Sequence, residues 1–279
     1  MNLPFDPLVS TWFTESFGKA TAVQEEAWPL IAQGRDVLAI APTGSGKTLT
    51  AFLSALSRFI DGSWDPQTLC VLYVSPLKAL NEDIRRNLIE PVEALKQRAQ
   101  AGNPVFGIRV ETRSGDTPQA ERRRFLVRPP SILAITPESL AIMLLNPKGR
   151  EILSGIKCLV IDEIHAVMGT KRGAFLSCQI DRLSRIIEKQ NTGSAQPRQF
   201  QRIALSATVN PPETAAEFAG GIDKAGKKQP LAIVNPPIEK KIHFTIEFPP
   251  EPKDYSAEGA FRYGARYAVL VRYIIEKIR

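Results

Sequence analysis

Ala41-Pro42-Thr43-Gly44-Ser45-Gly46-Lys47-Thr48 decides the fold. It follows the apolar run Val37-Leu38-Ala39-Ile40 directly and opens a stretch, 48–60, that can be helical. In this setting the glycines let backbone N–H groups close around phosphates at a helix N-terminus. Lys47 then reaches the β- and γ-phosphates, and Thr48 offers its hydroxyl to Mg²⁺. Thr43, Gly44, Ser45 and Gly46 complete the cradle. A glycine turn before an ordinary surface lysine is the competing reading. The strand–loop–helix context weighs against it.

Working outward, short apolar runs recur at 37–41, 69–74, 108–112, 132–135, 158–161 and 203–205. Most are continuous rather than alternating, as in strands covered by helices on both faces. Between them, 48–60, 77–100, 138–145 and 173–189 can be helical. Strands alternating with helices predict an α/β fold with a mostly parallel central sheet. Ligands of such sheets lie beyond the carboxyl ends of the strands. The chemically interesting residues nearly all follow strand ends.

Asp162 and Glu163 follow the run 158–161. Two ionised carboxylates at a strand end are costly unless a cation is near. Asp162 is placed to hold Mg²⁺, directly or through water, and Glu163 to orient and deprotonate an attacking water. A solvated helix cap is the bland alternative. It loses ground once a phosphate loop belongs to the same sheet. His165 has no second histidine or cysteine cluster for a metal site. It is expected to link the nucleotide site to the loop Ser206-Ala207-Thr208, where the hydroxyls of Ser206 and Thr208 can bond to it. Gln24 either reads an adenine edge with donor and acceptor together or faces solvent beside a helix capped by Thr21.

Three further loops suit backbone phosphates rather than base edges. They are Ser75-Pro76-Leu77-Lys78-Ala79-Leu80, Thr112-Arg113-Ser114-Gly115-Asp116 and Thr136-Pro137-Glu138-Ser139. Pro76, Lys78, Arg113, Ser114, Gly115, Thr136 and Pro137 are the candidate contacts. Arg85, Arg86, Arg122, Arg123, Arg124 and Arg128 add basic character, or are simply a solvated charged surface. No aromatic stripe suggests stacking on bases.

Composition agrees with this frame. The 279 residues suffice for one large α/β domain, or for one plus the start of another. Lys and Arg total 36 against 29 Asp and Glu, and the net charge of +7 suits a polyanionic partner. Cys70, Cys158 and Cys178 lack paired spacing, which argues for free thiols and a reducing compartment. There is no basic apolar leader, and no apolar run approaches a membrane span. A cytoplasmic protein without membrane contact is the expectation. Toward the C-terminus, 210–212 opens a helical stretch to 218, and 190–200 and 220–230 read as loops. Residues 242–248 alternate like an edge or linker strand between proline pairs, and 263–277 can be a final helix.

Together and in this order, these motifs resemble a superfamily 2 nucleic-acid helicase of the DEAD/DEAH group. More narrowly they resemble the large helicase-related (Lhr) family. The resemblance runs from Gln24 through the phosphate loop, the three loops above and Asp162-Glu163-Ile164-His165 to Ser206-Ala207-Thr208, over roughly residues 1–250. The narrower likeness rests on Thr112-Arg113-Ser114-Gly115-Asp116 and Asn210-Pro211-Pro212-Glu213. Two departures stand out: Ala41 opens the phosphate loop in place of glycine, and Ile164 replaces the commoner valine of the acidic box.

The resemblance implies a RecA-like P-loop NTPase, a three-layer sandwich, over residues 1–235. Residues 236–279 would be a linker and the possible start of a second RecA-like domain. It implies ATP and Mg²⁺ as cofactors, and single-stranded DNA or an RNA–DNA hybrid as partner. It also implies ATP hydrolysis coupled to strand separation once a second RecA-like domain supplies an arginine finger. No later paired-arginine motif occurs in this sequence, so the chain alone is expected to hydrolyse ATP poorly. A nucleic-acid-stimulated ATPase that remodels complexes without unwinding, or an ATP-gated binding clamp, uses the same core and stays open at this point.

Overall fold

A computed structural model describes residues 3–76, 84–190, 200–222, 226–237, 270–271 and 273–275. Backbone contacts divide the chain into Met1–Pro237 and Ile238–Arg279. Within the second unit, the described residues are helical. The alternating stretch 242–248 and most of the expected helix 263–277 lie outside the described residues.

The first unit is built on a seven-stranded sheet. Its strands are β1 (Val37–Ile40), β2 (Val71–Val74), β3 (Val110–Arg113), β4 (Ile132–Ile135), β5 (Cys158–Ile161), β6 (Gln201–Ser206) and β7 (Ala232–Val234). The spatial order is β3-β4-β2-β5-β6-β1-β7, and every pairing is parallel. The helices are α1 (Pro7–Phe17), α2 (Ala22–Ala32), α3 (Lys47–Ile60), α4 (Glu90–Arg98), α5 (Gln119–Val127), α6 (Pro137–Leu145), α7 (Pro147–Leu153), α8 (Lys171–Gln190) and α9 (Pro212–Gly220).

Strand residues alternate between two cores, as the period of two requires. Val37, Ala39, Val71, Tyr73, Ile132, Ala134, Val160 and Leu205 join α1–α4 in one cluster. Leu38, Ile40, Leu72, Val74, Leu133, Ile135, Leu159 and Ile161 join α6–α9 in the other. This makes the three-layer sandwich. Both faces of the inner strands are buried, which is why their sequences are continuously apolar. Burying one such Leu or Ile contributes about 1.5–3 kcal/mol.

Three differences from the sequence reading have plain causes. The strand expected at 108–112 begins at Val110, because Ile108 ends the 3₁₀ turn Pro104–Gly107 by donating its N–H to Val105 O. Arg113 is therefore the last strand residue rather than part of the loop. Strand β7 is a three-residue edge strand, too short to leave a pattern. Helix α5 buries only Phe125 among its residues, so it carries no apolar period. The expected helix at 77–100 is described from residue 84, as a π-helical turn (Arg85–Ile89) running into α4.

Candidate nucleotide site and neighbouring loops

Strand order brings the predicted motifs together. The phosphate loop leaves β1, Ser206 ends β6 and the acidic pair leaves β5. These strands are neighbours, with β6 in the middle. The other three loops leave β2, β4 and β3, which form the other half of the sheet.

Gly44 and Gly46 have φ of +79° and +78°. These are left-handed values that side chains resist. A Cβ on Gly46 would also sit 2.6 Å from Gln24 Nε2. Gly46 caps α3, whose first residue is Lys47. Lys47 is 6% exposed, and its ammonium donates to Pro42 O at 2.9 Å. Ser45 Oγ donates to the same carbonyl at 2.7 Å. Burial pulls the Lys47 pKa below its ordinary value, while the carboxylates of Glu163 and Asp162 act against that pull. Thr43 and Gly44 are exposed, and Thr48 is half-buried.

Gln24 is 3% exposed and does not face solvent. Its Oε1 accepts from Thr21 N–H at 3.0 Å, closing a capping box at the start of α2. Its Nε2 donates to Gly46 O at 3.3 Å. Thr21 Oγ1 donates to Ser45 O at 3.0 Å. Capping and contact with the phosphate loop thus coexist in one side chain, because the entry to α2 is packed on the loop.

Asp162 is 6% exposed. Burial pushes its pKa from 3.8 up to about 6, against the Tyr73 hydroxyl and the Glu163 N–H, which both donate to its carboxylate. The sequence reading missed Tyr73. A lone hydroxyl inside the aliphatic run of β2 was its signal. Glu163 has φ +51°, the only left-handed non-glycine backbone among the described residues. Such strain costs roughly 1–3 kcal/mol and clusters at functional sites. His165 Nε2 lies 3.2 Å from Glu163 Oε2. Its Nδ1 lies 3.3 Å from Ser206 Oγ and accepts from Ala207 N–H at 3.3 Å. Ser206 is buried beside it, whereas Thr208 is exposed.

Among the described residues no three His, Cys, Asp or Glu side chains cluster as a metal cage. Mg²⁺ does not need one, since it takes one or two protein oxygens and completes its shell with water and phosphate. A buried carboxylate whose charge is disfavoured by desolvation, together with the Thr48 hydroxyl, is a hard-oxygen donor set that fits this ion.

The remaining loops are less open than their sequences imply. Pro76, Thr136 and Pro137 are buried, and Lys78 lies outside the described residues. Thr136 Oγ1 is engaged as the cap of α6, accepting from Ser139 N–H. Ser114 is half-buried and Gly115 exposed. Arg122 fixes their loop by donating to Gly115 O at 2.6 Å and Thr117 O at 2.8 Å. Arg113 is 6% exposed and lines a cavity of about 370 Å³ with Leu126, Ile142, Met143 and Asn146. Its buried Nη1 has no partner among the described residues. The sequence reading also missed Arg172. Its Nε and Nη2 grip both carboxylate oxygens of Glu138 at 2.7 and 3.0 Å, and its Nη1 donates to Pro76 O at 2.6 Å. A cation in the first turn of a helix opposes the helix dipole. That misplacement at the start of α8 was the available signal.

Comparison with known proteins follows the same lines. Residues 21–217 match the family described as DEAD/DEAH box helicase. The chain is 43% identical over 247 residues to the "Lhr helicase/ probable uracil glycosylase" of Mycolicibacterium smegmatis, covering 88% of this chain and 15% of that protein. It is 42% identical over 231 residues to the "ATP-dependent helicase Lhr-Core" of Methanothermobacter thermautotrophicus, covering 81% and 26%. Among solved structures, that of Mycobacterium smegmatis helicase Lhr bound to ssDNA and AMP-PNP aligns with a TM-score of 0.77 at 37% identity, over 99% of this chain and 33% of that one. The DUF1998 helicase MrfA bound to DNA and AMPPNP aligns at 0.67 and 25% identity, over 85% and 30%. The chain thus spans only about a seventh to a quarter of the length of these curated relatives.

Proposed function

This chain belongs to the DEAD/DEAH box helicase family and carries a RecA-like helicase motor domain, and we propose that it binds Mg·ATP as one wall of a two-domain motor acting on single-stranded nucleic acid. The single observation that carries this reading is the convergence of Lys47, Asp162 and Glu163 at the carboxyl ends of β1 and β5, on either side of β6.

In this reading the backbone N–H groups of the phosphate loop and Lys47 hold the triphosphate. Lys47 exchanges Pro42 O for phosphate oxygens. Thr48 and Asp162 would hold Mg²⁺, which would supply positive charge to the bound triphosphate. Glu163 orients a water and takes its proton. The His165 contact fixes the carboxylate for that task. Gln24, already in contact with Gly46, presents its amide to the adenine edge. His165 and Ser206 relay the state of the site through the loop after β6, and Thr208, exposed at the end of that loop, faces the opposing domain.

Nucleic acid runs along the half of the sheet that holds β2, β4 and β3. Support comes from the relatives solved with single-stranded DNA or DNA bound, and from the placement of these three loops together at the carboxyl ends of neighbouring strands. Ser114 and Gly115 offer accessible surface there, and Pro76, Thr136 and Pro137 shape it from within. Lys78 adds a cation, and buried Arg113 contributes charge rather than an exposed donor. A second RecA-like domain supplies the arginine finger. DNA, alone or in an RNA–DNA hybrid, is the substrate, and the protein works in the cytoplasm.

The test is ATP hydrolysis by a protein that joins this chain to its second motor domain, with and without single-stranded DNA. DNA should stimulate turnover. Glu163→Gln should abolish turnover while keeping ATP binding. Unstimulated turnover, or an active Glu163→Gln variant, contradicts the proposal.

A further inference from the structure

Arg172 touches more separate parts of the fold than its sequence context suggests. Its guanidinium spans two loops. It grips Glu138, in the first turn of α6 after β4, and it holds Pro76 O in the segment leaving β2. Both carboxylate oxygens of Glu138 are taken, in the bidentate geometry that only an arginine fork provides. Donation by Arg172 holds the Glu138 carboxyl below the usual carboxylate range. That carboxylate would otherwise stand as an unpaired negative charge on the loop after β4, where it would repel the phosphate backbone placed there by the proposed function. Arg172 therefore neutralises it where neutralisation matters.

Behind Arg172 the chain is wound tightly back to the acidic box. Gly173 N–H donates to Thr170 Oγ1 at 3.1 Å, and Thr170 Oγ1 donates to Val167 O at 2.6 Å. Val167 and Met168 N–H both donate to Ile164 O, at 3.1 and 2.9 Å, and Ala166 N–H donates to Glu163 O at 2.8 Å. Ile164 and Val167 are buried. A Cβ on Gly173 would lie 2.1 Å from Val167 O, so no side chain fits between the turn and the helix. From Glu163 to Arg172 there is continuous hydrogen bonding and close packing, the kind of contiguous element through which two sites can be coupled.

We infer that Arg172 is a positioning residue that ties nucleic-acid engagement at the loops after β2 and β4 to the Asp162–Glu163 box. This rests on the proposed function for the placement of nucleic acid. The clamp itself rests only on the geometry. Each of its three nitrogens already donates to Glu138 or Pro76, so the protein itself sets the orientation of the fork, with one further N–H on each terminal nitrogen.

The test uses the full chain, Mg·AMP-PNP and a single-stranded oligothymidylate. AMP-PNP affinity is measured with and without saturating oligonucleotide, in wild type, Arg172→Ala, Arg172→Lys and Glu138→Gln. Wild type should show coupling of about fivefold or more between the two ligands. Arg172→Ala and Glu138→Gln should each bring it close to one, with AMP-PNP affinity alone unchanged. Arg172→Lys should restore part of it. The dependence of oligonucleotide affinity on salt should keep its slope in Arg172→Ala. A slope lower by about 0.7 would make Arg172 a direct phosphate ligand and overturn the inference. So would wild-type coupling in Arg172→Ala or Glu138→Gln, or an absence of coupling in wild type. Amide exchange without ligand decides the clamp on its own. Arg172→Ala should speed exchange at 136–140 and 164–170, and unchanged exchange overturns the inference whether or not oligonucleotide binds. A wild-type chain that shows this exchange pattern on mutation but binds no oligonucleotide contradicts the nucleic-acid reading, and with it the coupling role, while leaving the clamp.

Discussion

The imidazole of His165 is held between Glu163 and Ala207, and the two contacts fix its tautomer. An amide N–H only donates, so the Nδ1 that accepts from Ala207 at 3.3 Å carries no proton. The proton of the neutral ring is then on Nε2, which points at Glu163 Oε2 from 3.2 Å. Glu163 is thereby held by a donor whose other face is anchored at the end of β6, next to the phosphate loop's own strand. The carboxylate expected to activate water is positioned by the neighbouring loop rather than by its own strand.

Asp162→Asn should stabilise the ligand-free chain at neutral pH. The folded-state pKa of Asp162, about 6, lies above its ordinary value of 3.8, chiefly through burial. The folded state therefore holds this proton more tightly than the unfolded state. Stability falls as pH rises from about 4 to about 6 and stays lower above that window. Removing the charge should recover up to about 3 kcal/mol at pH 7.5 and nothing near pH 3.5. Urea unfolding at the two pH values checks this. An equal effect at both would show that the penalty is not electrostatic.

Arg113→Met should also stabilise the fold, by about 1–3 kcal/mol at neutral pH. The guanidinium is buried, one of its nitrogens lacks a partner among the described residues, and burial and Arg122 both push its pKa down. Methionine fills similar space without the charge. The check is the urea midpoint, with the slope of the transition unchanged. A less stable variant would mean that the cation is compensated by something other than the described residues.

These predictions separate what the sequence carried from what it did not. The strands β1, β2, β4, β5 and β6 were legible because both their faces are covered, which leaves unbroken apolar runs. The phosphate loop and acidic pair were legible because glycines at left-handed φ and adjacent carboxylates have few other uses at strand ends. Arg172 and Tyr73 were not, because their roles depend on partners 34 and 89 residues away, Glu138 and Asp162. Arg113 looked like a loop cation, and the exact end of β3 decided otherwise. Gln24 was misjudged as a candidate solvent-facing side chain, because its burial depends on Gly46, 22 residues away, packing over the entry to α2.

Gly173→Ala should be among the most damaging small substitutions outside the nucleotide site. The added methyl would meet Val167 O at 2.1 Å, a backbone atom that cannot swing aside. Overpacking of this kind costs about 1–3 kcal/mol. The fall in the thermal midpoint should come with faster amide exchange over 164–173. A neutral variant would show that α8 can shift relative to the turn.

At saturating ATP the chain alone should turn over slowly, with little change in that rate on adding single-stranded DNA. An arginine finger contributes about 10³–10⁵-fold in related phosphoryl transfers, and the proposed source of that group is a second domain. Steady-state phosphate release measures it. Joining the chain to its second domain should raise the DNA-stimulated rate by a comparable factor.

The most direct measurement is titration of the 279-residue chain with ATP in the presence of Mg²⁺. The account predicts one ATP per chain, with binding retained in Glu163→Gln and weakened at least about tenfold in Lys47→Ala, since a charge-assisted contact to phosphate is worth about 1.5–3 kcal/mol. A Lys47→Ala chain that binds ATP as tightly as wild type would contradict it.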